Sequence, residues 1–70
     1  MIREGSEVEW NWGNGKAKGK VVSTFAKEVS KEIKGSTITR KGEKGNKALL
    51  IKQEDGAEVL KLESEVDRIS

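Results

Sequence analysis

Lys16, Lys18 and Lys20 alternate along the stretch GKAKGKV. On an extended chain they project from one face about 7 Å apart, a row of point charges able to follow a phosphate backbone. A plainer explanation competes: lysines keep an outward strand face soluble and unable to pair with another chain, and Glu9 is placed to neutralise Lys20. Arg40, Lys41, Lys44 and Lys47 surround the glycine-rich stretch Gly42–Asn46, where a mobile basic loop could grasp an acidic partner and Arg40 could form a bidentate pair. Its bland counterpart is a solvated loop that is basic by composition. Trp10 and Trp12 are either core anchors or a stacking platform for a base, a proline or a methylated side chain. Trp10 reads as core; Trp12 lies beside a turn, where an indole can be partly exposed. The candidate binding residues are therefore Trp12, Lys16, Lys18, Arg40, Lys41, Lys44 and Lys47.

What is missing narrows the chemistry further. The chain has no cysteine and no histidine, so it lacks a thiol nucleophile, a thiolate or imidazole metal site and the commonest general base. Glu7 and Glu9 share a strand face and Glu54-Asp55 sits in a turn, but neither pair forms a closed dyad or a calcium loop. No catalytic residue, cofactor or metal is expected, and the chain does not read as an enzyme. No apolar run approaches the roughly 20 residues needed to span a bilayer, and the opening residues lack a secretory apolar stretch. A soluble cytoplasmic protein without membrane association is the expectation. Net charge is +2, yet Lys16 to Lys47 holds ten Lys/Arg against three Glu, and the remainder four against nine Asp/Glu. A basic middle lies between acidic ends.

These residues need a scaffold, and 70 residues make one domain, 1–70, with a thin core. Val8, Trp10 and Trp12 alternate with Glu7, Glu9 and Asn11, the period of a half-buried strand. Asn14-Gly15 suits a two-residue type I′ turn, which would set Trp12 opposite Ala17, Trp10 opposite Gly19, Val8 opposite Val21 and Glu9 opposite Lys20. Asp55-Gly56 offers a second hairpin, roughly Ala48 to Glu63, pairing Leu49 with Leu62 and Ile51 with Leu60. The predicted buried face is Val8, Trp10, Val21, Leu49, Ile51, Leu60 and Leu62. Between the hairpins, Phe25, Val29 and Ile33 recur every four residues, a spacing helices and strands share. Glu28 and Glu32 would narrow any helical stripe to one residue. Extended structure from Val29 to Ile33 with a kink at Gly35 is predicted, against a helix over Thr24 to Lys34. Gly42–Asn46 reads as a flexible loop, and Ser64 with Asp67 as the start of a short helical turn that puts Val66 and Ile69 on one side.

Gly5, Val8 and Trp10, the Gly19-Lys20-Val21 step, Ile33-Lys34-Gly35, and the run Leu50-Ile51, Asp55-Gly56, Leu60-Lys61 and Ser64-Glu65-Val66 together resemble the hypervirulence-associated Tudor-like domain family of small proteins. That resemblance implies a Tudor-like barrel, and with the strand pattern the expected fold is an all-β, five-stranded SH3/Tudor-like barrel with the short C-terminal helical turn plugging one end. It does not imply a defined activity. Where the family pattern often carries a proline and an aromatic at the entry to the fourth strand, this chain has Lys47 and Leu49. An aromatic cage for a methylated cation needs several ring faces, and only Trp10, Trp12 and Phe25 are available. Gly15-Lys16-Ala17-Lys18-Gly19-Lys20-Val21 is also similar to the KOW-type small barrels of ribosomal and transcription proteins. The expected function is a binding module for a protein or peptide partner; the alternative is a small barrel that binds RNA or DNA phosphates through its basic middle.

Overall fold

A computed structural model describes residues 2–69. In chain order the elements are β1 (Glu7–Trp12), β2 (Gly15–Phe25), β3 (Glu28–Ile33), β4 (Ser36–Lys41), β5 (Ala48–Gln53), β6 (Glu58–Leu62), a 3₁₀ turn (Glu63–Glu65) and β7 (Asp67–Arg68). The protein is all-β, with two antiparallel sheets: β6-β5-β2-β1-β7 and the separate hairpin β3-β4. The strands do not close into a single five-stranded barrel; β4 and β3 approach β6 without joining its ladder. No α-helix occurs among the described residues, and beyond the 3₁₀ turn the chain is extended. Val66 is buried while Ile69 is exposed, so the two do not share the side of a helical turn.

The first hairpin turns one residue earlier than expected, which moves every cross-strand partner by two. Trp10 faces Ala17, Val8 faces Gly19 and Glu9 faces Lys18, with Gly13-Asn14 as the loop. Gly13 takes φ +57 at the first central position, the requirement of a type II′ turn, which fits strand twist as well as type I′ does. A shift of two preserves every side chain's face. Val8, Trp10 and Val21 are therefore buried together, as the alternation requires.

The second hairpin slips by one residue, and that changes faces. Leu50 pairs with Leu60, Ala48 with Leu62 and Ile51 with Val59. The loop is Glu54-Asp55-Gly56: Gln53 N–H donates to Ala57 O (2.7 Å), Gly56 N–H donates to Gln53 O (2.9 Å), and Gly56 has φ +89. This is a three-residue loop ending in a left-handed glycine. Leu49 and Ile51 stay in the main core with Val8, Trp10, Val21 and Val66. Leu60 is buried, but on the opposite face with Leu50, and Leu62 is only half-buried.

That second apolar face is completed by a bulge. Val21 pairs with Ile51 and Ser23 with Leu50, which leaves Val22 unpaired. The extra residue moves Phe25 off the Val21 face, setting it opposite Ala48. Phe25, Val29, Leu50 and Leu60 then line one pocket of about 200 Å³ between the sheets. The middle segment is extended, and Lys34-Gly35 is a full hairpin turn rather than a kink.

Candidate functional site

Trp12 is 73% exposed, the most exposed large hydrophobic residue among those described. It continues the inner face of β1, where its neighbour Trp10 is almost fully buried. The two indoles, Ile33 at the end of β3 and Val59 on β6 line a groove of about 340 Å³ together with Asp55 and Glu58. Lys34 and Lys61 also border it, so its charge is mixed. Asp55 is held in place, since its Oδ1 accepts the Ala57 N–H at 2.9 Å. An extended strand end presents the indole, a tight turn brings Ile33 to it, and the three-residue loop sets Asp55. The groove can take an apolar side chain while carboxylates and ammonium groups on its rim meet polar backbone or charges.

The lysine row lies elsewhere. Lys16, Lys18 and Lys20 pair with Asn11, Glu9 and Glu7 on the outer face of the sheet, whereas Trp12 belongs to the inner one. Lys16 Nζ donates to Glu9 Oε1 at 3.3 Å, so the carboxylate expected to meet Lys20 engages Lys16 instead. The structure does not bring Trp12 and the lysines onto one surface.

Around the glycine-rich stretch the geometry is tied rather than loose. Glu43 and Asn46 form a bridge through reciprocal backbone hydrogen bonds of 3.0 and 2.9 Å. Lys47 N–H donates to Glu63 Oε1 (2.8 Å), Glu63 N–H to Lys47 O (3.0 Å) and Ser64 N–H to Asn46 Oδ1 (3.0 Å). Arg40 Nε donates to Glu65 Oε1 at 3.0 Å, and its Nη1 to Thr39 O. Of the four basic candidates there, Lys41 and Lys44 are exposed, Lys47 is half-buried and Arg40 is engaged. Burial is the largest single influence on Glu65 and pushes its carboxyl up. The Leu62 N–H, the Arg40 hydrogen bond and the charges of Arg40 and Lys61 outweigh it, so the net effect is a lowered pKa.

The groove residues Ile33, Asp55, Glu58 and Val59 were not among the sequence candidates. Nothing local marks them, because three separate strands and a turn must converge before they share a surface. Among the described residues no cluster of acidic side chains is disposed to hold a metal ion, and no helix is long and apolar enough to cross a membrane.

No curated protein and no solved structure matches the chain. A family model described as the TUDOR domain of hypervirulence associated proteins matches residues 5–66, a span that runs from the turn before β1 to the buried Val66 and so includes the groove and every strand but β7. The chain belongs to this hypervirulence-associated Tudor domain family.

Proposed function

We propose that this chain is a non-catalytic binding module of one domain, an opened relative of the SH3/Tudor-like barrel, that holds an extended segment of a protein partner in the groove beside Trp12. The exposed indole carries the reading. A tryptophan contributes a large, rigid contact area, and such residues dominate protein interfaces when they border a pocket. Here Trp12 borders a groove walled by Ile33 and Val59, and the mixed charge on its rim suits a polypeptide better than a polyanion. The nucleic-acid reading draws on the lysine row, but stacking and phosphate tracking would then occupy opposite faces of the sheet.

Selection of a displayed library of 12-residue peptides on the wild-type chain, counter-selected on Trp12→Ala, tests this. Enriched peptides should bind the wild type and lose about tenfold or more in affinity with Trp12→Ala, while the variant keeps a dispersed amide spectrum. Peptides that bind both proteins equally, or no enrichment at all, would sink the proposal. Retention on oligothymidylate that exceeds peptide binding and collapses as salt rises would favour the nucleic-acid reading in its place.

A further inference from the structure

On the outer face of the main sheet, β2 and β5 place Lys20 and Lys52 directly opposite one another. Like charges in opposed cross-strand positions repel, and among the described residues neither lysine has an ion pair or side-chain hydrogen bond to offset this. Lys18 projects from the same face one pleat away, and Glu9, its cross-strand partner, is engaged by Lys16. On their other sides Lys20 faces Glu7 and Lys52 faces Glu58, so the lysine pair is held at the centre of a rigid ladder with a carboxylate residue at each end.

Apolar surface lies beside it. Val22, the unpaired residue of the β2 bulge, is 43% exposed, and Ile69, anchored by its N–H to Glu7 O at 2.8 Å, is 44% exposed. Val22, Ile69, Lys18, Lys20 and Lys52 line one cleft of about 480 Å³. Glu7 and Glu54 also line it. Alternation from the buried Val21 puts Val22 on the outer face with Lys18 and Lys20, and the bulge leaves it there without a cross-strand partner.

We propose that this cleft is a second binding site, separate from the Trp12 groove, for a short extended segment of a partner protein that presents an aliphatic side chain flanked by carboxylates. Val22 and Ile69 take the aliphatic group, and Lys20 and Lys52 take the carboxylates, which removes their mutual repulsion. The walls are aliphatic and provide no ring on which a base could stack. Glu7 and Glu54 oppose a continuous run of phosphates yet leave room for a carboxylate at the lysine pair. An inorganic anion would leave the apolar walls unused.

The test titrates the ¹⁵N-labelled full chain with the capped pentapeptide Glu-Glu-Ile-Glu-Glu, its Ser-centred analogue, a Lys-Lys-Ile-Lys-Lys control and oligothymidylate, at two salt concentrations. The acidic Ile peptide should shift the amides of Val22, Lys52 and Ile69, weaken with salt, and lose about tenfold in affinity with Lys52→Glu. The Ser-centred and basic peptides should bind at least about tenfold more weakly, each lacking one half of the match. Trp12→Ala should bind the acidic peptide as the wild type does, so failure of the groove proposal and failure of this one are read separately. No shift at these amides, equal binding to wild type and Lys52→Glu, or tighter binding of oligothymidylate at the same face would overturn it. Lys52→Glu replaces an exposed residue and exchanges a like-charge pair with Lys20 for one with Glu58, so its thermal midpoint should stay unchanged and its loss of binding cannot then be assigned to unfolding.

Discussion

Replacing Leu60 with Ala tests the register of the second hairpin and the existence of the second apolar face together. Leu60 is 3% exposed and lies opposite Leu50 on the face covered by the β3-β4 hairpin. The change removes the equivalent of three methylene groups, about 2.5 kcal/mol at about 0.8 kcal/mol each, and a cavity term brings Leu→Ala costs into a range of about 2–5 kcal/mol. Leu60 borders an existing pocket at the seam between the sheets, where neighbours can close in, so about 3 kcal/mol is expected. A chain of this size has a total stability of about 3.5–10 kcal/mol. With a urea slope near 1 kcal/mol/M, the midpoint should fall by about 3 M. Leu62→Ala is the internal control: that side chain is half-buried, and its truncation should cost less than about half as much. Urea unfolding followed by tryptophan fluorescence and far-ultraviolet circular dichroism measures both. Equal costs for the two variants, or a Leu60 cost under about 1 kcal/mol, would refute the observed register and the packing of β3-β4 on that face.

Gly42→Ala should lower stability by at least about 2 kcal/mol, seen as a drop in thermal midpoint, because a methyl there meets Phe25 O, Lys27 O and the Ala48 backbone nitrogen. Glu65→Gln should flatten the acid limb of the stability curve. The folded carboxyl titrates below its unfolded value, so its contribution is complete above the unfolded pKa and is lost as pH falls through the folded one; at this exposure it amounts to less than about 1 kcal/mol. Trp12→Phe should leave stability within about 0.5 kcal/mol and shift the emission maximum to the blue, since the remaining indole, Trp10, is buried; an unchanged spectrum would place Trp12 inside.

The alternation of Val8, Trp10 and Trp12 was legible because a strand with one buried face announces it. Even with the turn placed at the wrong pair of residues, a slip of two left each side chain on its predicted face. The β3 segment was legible for a related reason: Glu28 and Glu32 leave no broad apolar face for a helix, and an exposed hairpin tolerates that pattern. In β5 the same logic fails. Ala48, Leu49, Leu50 and Ile51 are all buried, so the strand is apolar on both sides and its alternation cannot choose a register.

What the sequence alone determined is the class of the protein: all strand, without thiol or imidazole side chains, and with a family pattern spread over most of its length. Only the tertiary structure decided the rest. Asp55-Gly56 is compatible with a two-residue or a three-residue loop, and these differ by little locally, whereas the choice moves Leu60 from one core to the other. The bulge at Val22 has no local signature, yet it sends Phe25 to the second face and leaves Val22 unpaired. Trp12 joins Ile33 and Val59, and Lys20 joins Lys52, across sequence separations that only the packed sheets close. Faces follow from neighbours one and two residues apart, while sites depend on which distant strands come together, and that is settled by burial of the whole core.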